Sequence, residues 1–536
     1  MSGNVDRYGI VATVKSGHLS SSVGGPGNQR RAEKPQPPGD ENAPAGKALS
    51  ELRHRRVMVA GARPGRRQPA CVGGLVWGAM SAPPGIFKAY DIRGIYGDEI
   101  DGDLAEEIGR AFTRVIGQLS GKDTSDLGIG LGHDMRLPAA ELSERYRQGI
   151  MSEGAHVIDV GQVGTEMLYW LVGSRELDGG LMCTASHNPK AYTGAKMVKA
   201  GAIALSGDSG IGEIREMIDA GLGTAPGGGT SESIKIYNPF GAAALKFIDP
   251  EAVKPLKVVV DGGNGMAGPM VGPILKYLKL DLDENYFVPD GNFPDHEPNP
   301  LLPENRQFII DRVLETGADL GIAWDGDADR CFFIDDTGRF VDGDFLTALL
   351  AENLLEKDPG SMILYDVRAS RAVRDTVERL GGQSLPNRVG HAFFKTRMRE
   401  EDAIFGGEVS GHYYFQDFYC ADSGTIPALL MLEQISKSGQ KLSELLEDLR
   451  NTYFISGEIN SEVEDADTKL AEIEEVYAAQ GAEISHLDGV SVDFDDWHFN
   501  VRASNTEPLL RLCLESLVSQ EDMESRRDEV LELIRA

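Results

Sequence analysis

Three short apolar runs, each leading to an aspartate at a turn, limit most strongly what this 536-residue chain can fold into. The runs and their acids are residues 127–131 with Asp134, residues 256–260 with Asp261, and residues 362–365 with Asp366. Longer helical patterns alternate with β-branched runs of this kind, and that alternation predicts an α/β protein. The three acids stand 127 and 105 residues apart. This spacing is compatible with three consecutive modules of one topology.

The C-terminal part of the chain has a different pattern. An acidic helical segment at 465–479 precedes Trp497, Phe499 and Val501, whose alternation is typical of a half-buried strand. A final helix is expected near 522–534. These features predict a smaller α+β domain at the C-terminus.

The first 79 residues differ from the rest in charge. They hold 12 Lys and Arg against 5 Asp and Glu, whereas the whole chain has a net charge of −31. Clusters of Pro and Gly and the lack of a sustained apolar period predict disorder there. Met80 stands where the composition becomes globular, and we hypothesise that it is the natural start and that residues 1–79 are an upstream misreading. Arg66 and Arg67 before the apolar stretch 70–78 suggest a weaker alternative, a twin-arginine-like export signal.

Charge and composition exclude several classes of function. A net charge of −31 implies repulsion from phosphate backbones and anionic lipid, so we expect no nucleic-acid partner. The longest run almost free of polar residues, 70–80, has 11 residues, whereas a membrane helix needs about 20. The cysteines, at positions 71, 183, 331, 420 and 513, lie too scattered for a zinc site and favour a reduced, cytoplasmic location.

The sharpest local motif is an acidic loop between two apolar runs. Asp325, Asp327 and Asp329 stand at alternate positions, and such neighbouring carboxylates repel one another unless the loop wraps them around a hard cation. The pattern therefore predicts a divalent metal site. Because three carboxylates leave the coordination shell open, Mg2+ with a phosphate oxygen is expected. A solvated acidic hairpin is the alternative, and an EF-hand is excluded because Asp336 replaces the required glutamate.

A second motif ends another apolar run. Ser186 follows the buried-looking segment 179–183 and precedes His187, Asn188 and Pro189, a position suited to an exposed nucleophile. An ordinary turn is the alternative for this motif taken alone. A serine hydrolase would also need a base and an orienting acid, which the sequence does not identify.

Two further loops offer polar groups to a small ligand. Residues 407–412, Gly-Glu-Val-Ser-Gly-His, carry a carboxylate and a hydroxyl suited to sugar hydroxyls. Residues 502–508, Arg-Ala-Ser-Asn-Thr-Glu-Pro, offer a guanidinium, hydroxyls, an amide and turn N–H groups, which suit a phosphate monoester. Taken alone, the first could be any turn and the second a capped helix start.

One motif supports a rival function. Residues 263–268 fit the G-x-G-x-x-G pattern after an apolar run, with Asp281 and Asp283 near the spacing of a ribose-binding acid. An NAD-dependent dehydrogenase is therefore an alternative, although it leaves the other motifs unexplained. We interpret these glycines as a tight strand-to-helix turn.

Taken together and in this order, the acidic loop, the serine turn and the two ligand loops resemble the α-D-phosphohexomutases, the family of phosphomannomutases and phosphoglucomutases. The resemblance extends from Phe87 to the C-terminus. It implies a four-domain phosphohexomutase architecture of the α/β class, in which three similar mixed α/β domains and a C-terminal α+β domain surround a central cleft. The implied domains are 80–236 with the phosphoserine, 237–341 with the metal loop, 342–452 with the sugar loop and 453–536 with the phosphate loop.

The resemblance also implies roles for the residues of the four loops. Ser186 matches the family's catalytic phosphoserine, and Asp325, Asp327 and Asp329 match its Mg2+ ligands, with a phosphoserine oxygen as the fourth. The implied sugar-binding residues are Glu408, Ser410 and His412, and those that hold the non-reacting phosphate are Arg502, Ser504, Asn505 and Thr506.

Other segments match the family less closely. Tyr90 and Arg93 lie in its opening motif, whose arginine reaches the active serine. Lys196 matches a lysine near the transferred phosphate, and His391 and Lys395 lie in a stretch resembling the active site of the third domain.

Three further points concern the positive charges and the proton acceptor that the resemblance implies. Arg368 stands where relatives often have lysine, so a planar guanidinium replaces a compact ammonium group. Arg330 is expected to add positive charge near the transferred phosphate. His187, Lys196 and His391 are alternatives for the group that takes the proton from the sugar hydroxyl.

The resemblance implies a cytoplasmic phosphomannomutase that also acts on glucose phosphates, through a hexose 1,6-bisphosphate that is both intermediate and activator. Its expected partners are small-molecule hexose phosphates and Mg2+, without nucleic acid or membrane, and it is expected to be a monomer or weak dimer. Val409, where methionine is common, leaves the preference between mannose and glucose open. The alternatives are a member that prefers glucose phosphates and a non-catalytic sugar-phosphate sensor.

Overall fold

The computed structural model describes residues 82–207, 209–504 and 509–536. The expectations about residues 1–79, Met80 and the export signal, and the roles of Asn505 and Thr506, lie outside the described residues. Within the described ranges, no helix combines the length and the apolar composition that crossing a membrane requires. The four cysteines in these ranges are buried and carry free thiols.

The first module contains the most elaborate sheet. Its strands are β1 (Ile92–Ile95), β2 (Gly128–His133), β3 (His156–Gln162), β4 (Gly179–Cys183), β5 (Tyr192–Lys199), β6 (Ile203–Ala204) and β7 (Thr230–Ser233), and its helices are α1 (Gly102–Ser120), α2 (Ala139–Ser152), α3 (Thr165–Ser174) and α4 (Ile211–Ala220). The strand order is β1-β5-β4-β2-β3-β7, with β6 paired to β5. Asp101 caps α1 by accepting the backbone N–H of Leu104. Helices α1 and α2 pack so closely that a Cβ at Gly149 would lie 2.1 Å from the carbonyl oxygen of Glu106. Only glycine fits at this position.

The second module begins at a helix and contains a smaller sheet. Its elements are α5 (Tyr237–Ala244), β8 (Lys257–Asp261), α6 (Ala267–Tyr277), β9 (Asp281–Asn285), α7 (Pro303–Thr316), β10 (Leu320–Trp324), β11 (Cys331–Asp335) and β12 (Phe340–Val341). The strand order is β12-β11-β10-β8-β9.

The third module is the richest in helices. Its elements are α8 (Gly343–Lys357), β13 (Met362–Asp366), α9 (Arg371–Arg379), β14 (Gln383–Asn387), α10 (His391–Glu400), β15 (Phe405–Gly407), β16 (Tyr413–Phe415), β17 (Ala421–Asp422), α11 (Thr425–Ser438), α12 (Leu442–Leu445) and α13 (Glu447–Thr452). The strand order is β14-β13-β15-β16-β17.

The three modules share one core topology. In each, a first core strand (β2, β8 or β13) pairs in parallel with a second (β3, β9 or β14) and a third (β4, β10 or β15). The third pairs antiparallel with a fourth (β5, β11 or β16). The prediction of three consecutive modules of one topology is therefore confirmed.

The predicted strand-end acids close the first core strand of each module. Asp134, Asp261 and Asp366 are buried at its carboxyl end. Each accepts the backbone N–H of the residue two positions further on, at 2.9, 2.9 and 2.8 Å. An aspartate at this place forms a local turn, which explains why the same pattern recurs three times.

The C-terminal domain is a separate antiparallel sheet with two helices. Its elements are β18 (Phe454–Glu462), α14 (Ala466–Ala478), β19 (Glu483–Ser485), β20 (Val490–Asp493), β21 (Trp497–Ala503), β22 (Leu509–Ser516) and α15 (Gln520–Arg535). The strand order is β18-β22-β21-β20-β19. Trp497, Phe499 and Val501 are buried in β21, as their alternation predicts.

Buried apolar side chains join the three modules to one another and form a separate core in the C-terminal domain. One large cluster joins all three modules, with Leu168 from the first, Trp324 from the second and Phe405 from the third. The indole N–H of Trp324 donates to the carbonyl of Gly424 at 2.9 Å, across the boundary of the second and third modules. The C-terminal domain has its own cluster around Phe499. The modules therefore form one frame, on which the C-terminal domain is placed.

Candidate active site

The shared topology places three of the predicted loops at equivalent points. In each module a turn joins the third and fourth core strands, at residues 184–191, 325–330 and 408–412. These turns contain the serine, the aspartate triplet and the sugar loop. Three motifs that are far apart in the chain are thus presented at the same end of three related sheets.

Ser186 lies in a constrained turn against the second module. Its φ is +50°, in the left-handed region. Its backbone N–H donates to Thr184 Oγ1 at 2.9 Å, and its carbonyl accepts from the guanidinium of Arg136 at 2.8 Å. The Oγ donates to Asp325 Oδ2 at 2.9 Å and lies 3.2 Å from His187 Nδ1. The serine hydroxyl therefore contacts both an imidazole in its own turn and the acidic loop.

The aspartate triplet forms a candidate metal site. Asp325, Asp327 and Asp329 are fully buried, and one carboxylate oxygen of each lies within 4.8 Å of the others. Among the described residues, Asp327 Oδ1 and Asp329 Oδ1 have no hydrogen-bond partner. Buried oxygens without partners are costly unless a cation takes them. The alternative of a solvated acidic hairpin is wrong, because the carboxylates are not exposed.

Lys196 neutralises part of this acidic loop. Its Nζ lies 2.8 Å from Asp327 Oδ2 and 2.5 Å from Asp329 Oδ2. Burial disfavours the charged amine, but the two aspartates outweigh burial and raise the pKa of Lys196. The amine is therefore positively charged next to the serine turn.

Two arginines fix the neighbouring loops. Nε and a terminal nitrogen of Arg330 each lie 2.9 Å from Asp325 Oδ2. Arg93 Nε lies 2.6 Å from Asp91, and its guanidinium also donates to Asn188 in the serine turn. Both guanidiniums add positive potential around the serine turn and the acidic loop.

Three partly buried histidines stand near the serine. Burial, with a smaller effect of Lys395, lowers the pKa of His391 to about 3. Burial followed by the charge of Arg330 holds the pKa values of His187 and His412 well below the usual range. The rings of His391 and His412 stack with centroids 6.5 Å apart. All three imidazoles are neutral at neutral pH and can accept a proton or a hydrogen bond.

The sugar loop presents a carboxylate of unusual acidity. Glu408 accepts from the backbone N–H of Gly390 at 2.7 Å and from the hydroxyl of Tyr414 at 2.6 Å. Burial, with the charge of Asp366 adding, raises the pKa of Glu408 to about 7.

Ser410 and His412 stand on the same loop, and His412 reaches the acidic site. Ser410 Oγ lies 3.1 Å from His412 Nδ1. His412 Nε2 lies 4.0 Å from Asp329 Oδ1. The sugar loop and the candidate metal site therefore meet at this histidine.

Lys395 has two partners that sequence reasoning missed. Its Nζ lies 2.5 Å from Asp422 Oδ1 and 3.7 Å from the ring centroid of Tyr169. Burial lowers the pKa of Lys395, and Asp422 opposes this effect. Tyr169 lies within α3 and Asp422 ends a short strand, so neither belongs to a recognisable motif.

The predicted phosphate loop lies at the boundary with the third module. Arg368 contacts Glu458 at 2.8 Å, and Arg502 lies 3.6 Å from the same carboxylate. The backbone N–H of Ser504 donates to the carbonyl of Leu509 at 2.9 Å. Arg502 and Ala503 end β21 and the next described element is β22, which begins at Leu509, so a strand follows the motif where the alternative interpretation expected a helix.

A cavity of about 100 Å³ lies where these side chains meet. It is lined by Tyr90, Asp91, Arg93, Tyr169, Ser186, His187, Lys196, His391, His412 and Asp422. Tyr90 meets the ring of His391 edge-on with centroids 5.3 Å apart. The cavity therefore joins the first and third modules around Ser186, while Arg368 of the third module and Arg502 of the C-terminal domain meet at Glu458.

The glycine-rich turn at 263–268 supports the acidic loop. It leads from β8 to α6, and the backbone N–H of Met266 donates to the carbonyl of Gly326 at 2.9 Å. A Cβ at Gly265 would lie 2.6 Å from that oxygen, and one at Gly268 would lie 1.8 Å from the carbonyl oxygen of Phe287. The chain itself fills the space that a dinucleotide pyrophosphate would need, as expected for a tight strand-to-helix turn.

Known families match the chain in four consecutive segments. Residues 84–222, 237–338 and 342–453 match Phosphoglucomutase/phosphomannomutase, alpha/beta/alpha domains I, II and III. Residues 458–533 match the C-terminal domain of the same family.

Relatives cover most of the chain. A protein of Xanthomonas campestris pv. campestris named "Phosphohexose mutases" is 43% identical over 450 residues, which are 84% of this chain and 99% of that protein. The phosphomannomutase of Escherichia coli strain K12 is 40% identical over 456 residues, 84% of this chain and 98% of its own. A solved structure of a phosphoglucomutase/phosphomannomutase family protein from Burkholderia thailandensis is similar with a TM-score of 0.77 at 32% identity, covering 84% of this chain and 97% of that one. With four domains matched in order and relatives above 40% identity, the chain belongs to the phosphoglucomutase/phosphomannomutase family.

Proposed function

We propose that this protein is a phosphomannomutase that interconverts mannose 1-phosphate and mannose 6-phosphate and also acts on glucose phosphates. The contact of Ser186 Oγ with Asp325 at 2.9 Å carries the proposal, because it places the hydroxyl that would hold phosphate against the acidic loop. Relatives at about 40% identity that are named phosphomannomutase support mannose phosphate as a substrate.

The acidic loop fits Mg2+. Asp325, Asp327 and Asp329 offer only carboxylate oxygens, the ligand type that this hard cation prefers. Two of those oxygens are buried and unpartnered among the described residues. When bound, Mg2+ would stabilise the charge that develops on a transferred phosphoryl group.

The proposed reaction transfers a phosphoryl group from Ser186 to the sugar. The free hydroxyl oxygen of a hexose monophosphate forms a bond to phosphorus, and the bond from phosphorus to Ser186 Oγ breaks. The serine oxygen regains the proton that the sugar hydroxyl loses, and His187 Nδ1, 3.2 Å from that oxygen, is placed to carry it. The bisphosphate then reorients within the site. Ser186 Oγ forms a bond to the other phosphorus, the bond from that phosphorus to the sugar oxygen breaks, and the serine proton passes to the sugar oxygen. Arg93, Lys196 and Arg330 supply the positive charge that phosphoryl transfer requires.

The rest of the site would hold the sugar in both orientations. Proposed contacts to the sugar and its non-reacting phosphate come from Tyr90, Arg368, Lys395, Glu408, Ser410, His412, Arg502, Ser504, Asn505 and Thr506. One fixed phosphate loop and one set of hydroxyl contacts suffice, because the bisphosphate presents equivalent groups after it turns. We propose that hexose phosphates are the only partners. The protein would act in the cytoplasm as a monomer or weak dimer.

The sugar preference is tested by equal assays on mannose 1-phosphate and glucose 1-phosphate. With Mg2+ and glucose 1,6-bisphosphate present, 31P NMR should detect conversion of both substrates to their 6-phosphates. Turnover of mannose phosphate at less than about one hundredth of the glucose rate, a difference of about 2.7 kcal/mol in barrier, would contradict the proposal. A glucose-preferring mutase would then be the function.

Glu408 is expected to give sugar binding a dependence on pH. Burial and the charge of Asp366 raise the pKa of Glu408 to about 7, whereas Arg368 and the Tyr414 hydroxyl favour the charged form. The Nδ1 atom of His412 lies 3.6 Å from the Glu408 carboxylate. A protonated carboxyl cannot accept as many hydroxyl hydrogen bonds, so kcat/KM should fall as the pH decreases from about 8 to about 6. Glu408→Gln should lower kcat/KM and remove that slope. A variant that keeps the slope would show that another group titrates.

A further inference from the structure

We infer that Thr165 is a positioning residue of the metal site: its hydroxyl fixes the Asp327 carboxylate so that the opposite oxygen remains available to the cation. The inference rests on the proposed function for the identity of the cation. Its geometry depends only on the contacts of Thr165 and Asp327.

The two oxygens of Asp327 have opposite surroundings. Oδ2 accepts from Thr165 Oγ1 at 2.5 Å, from Lys196 Nζ at 2.8 Å and from Thr184 Oγ1 at 3.4 Å. Oδ1 is equally buried and has no hydrogen-bond partner among the described residues. Rotation of the carboxylate would break the bonds to Oδ2, so the donors hold the carboxylate in the orientation that leaves Oδ1 free for a cation.

Thr165 reaches Asp327 through a close contact of main chains. The backbone N–H of Thr165 donates to the carbonyl oxygen of Asp327 at 3.1 Å. A Cβ at Gly164 would lie 2.7 Å from that oxygen and 2.2 Å from the sulfur of Met270. Glycine is therefore required at 164 for the start of α3 to lie directly against the acidic loop.

Glu166, the next residue, attaches the start of α3 to the third module. Glu166 is fully buried and accepts from the hydroxyls of Ser423 and Thr425 in the third module. Thr165 and Glu166 thus tie the first module to the second and third at consecutive positions. With its backbone held on both sides, Thr165 stays next to Asp327, and its hydroxyl is in place to hold the carboxylate when a cation binds.

A hydroxyl that only filled space could be replaced without effect on the metal. A hydroxyl that orients a ligand behaves differently, because loss of such a supporting hydrogen bond typically weakens metal affinity by about 10- to 100-fold. Thr165→Val keeps the shape of the side chain and removes the donor. Thr165→Ser keeps the donor and removes a methyl group.

The test uses Mn2+ as the probe and the full chain. Free Mn2+ is counted by electron paramagnetic resonance during titration of the wild type, Thr165→Val, Thr165→Ser and the control Thr113→Val. Thr113 is a fully buried threonine whose hydroxyl donates to the carbonyl of Gly109 within α1. We expect Thr165→Val to weaken Mn2+ binding by about 10- to 100-fold, and the other two variants to bind as the wild type does.

A folded Thr165→Val protein with wild-type Mn2+ affinity would overturn the inference, as would equal losses in the valine and serine variants. If the valine variant does not fold, Thr165→Ala is compared with Thr165→Ser, since the two differ only by the hydroxyl. Failure of the wild type to bind Mn2+ would overturn the metal assignment itself. Mutase activity plays no part in the titration, so an error in the proposed reaction would leave its result interpretable.

Discussion

Replacing Ser186 with alanine is expected to reduce mutase turnover by at least about a thousandfold, because no oxygen remains to carry the phosphoryl group. The fold should survive the change. Asp325 loses one donor but keeps the Arg330 side chain at 2.9 Å and the Arg330 backbone N–H at 3.2 Å. Thermal unfolding of the variant should therefore stay close to that of the wild type.

Intact-mass measurement gives this prediction a second readout. The wild type should carry an extra phosphate that maps to Ser186, and the alanine variant should not. Ser436→Ala is a suitable control, because Ser436 is buried in α11 and its hydroxyl accepts only the backbone N–H of Lys254 among the contacts observed. A wild type that binds hexose phosphate, leaves Ser186 unphosphorylated and converts no isomer would be a sugar-phosphate sensor.

The substitution Asp327→Asn is expected to reduce turnover by about three orders of magnitude, since a metal supplies several kcal/mol of transition-state stabilisation and each 1.36 kcal/mol is about tenfold. Asparagine keeps the shape of the side chain but removes the charge that pairs with Lys196 at 2.8 Å. Chelation of the wild type should produce a loss of similar size, reversed by added Mg2+.

Asp319→Asn is the matched control for this substitution. Asp319 precedes β10, whereas the acidic loop follows it, so the two positions lie at opposite ends of one strand. Its carboxylate accepts the backbone N–H of Lys257 at 2.8 Å. Unchanged turnover in Asp327→Asn, or full activity after chelation, would contradict a catalytic metal at the acidic loop.

Local patterns predicted the modules and most of the loops because both depend on residues close together in the chain. The apolar runs that end in Asp134, Asp261 and Asp366 mark three strands, since each acid bonds to a backbone N–H two residues away. The acidic loop is recognisable for a similar reason. Adjacent carboxylates are unfavourable without a cation, so their spacing alone indicates the chemistry.

The partners that complete the site depend on tertiary contacts and could not be predicted. Thr165 meets Asp327 162 residues further along the chain, and the Lys395 amine meets Tyr169 on another module. The ion pair of Arg368 with Glu458 likewise forms only where the C-terminal domain reaches the third module. No period or spacing encodes such contacts, because they arise from the packing of separate sheets.

The separate apolar cluster of the C-terminal domain has a consequence for unfolding. A domain whose buried side chains pack mainly among themselves can lose its structure without disrupting the frame of three modules. Heating or denaturant should therefore melt the protein in two steps, with amide exchange in β18 to β22 decoupled from exchange in the strands around Trp324. Bound hexose phosphate would contact both the C-terminal domain and the frame of three modules, so it should merge those steps into one.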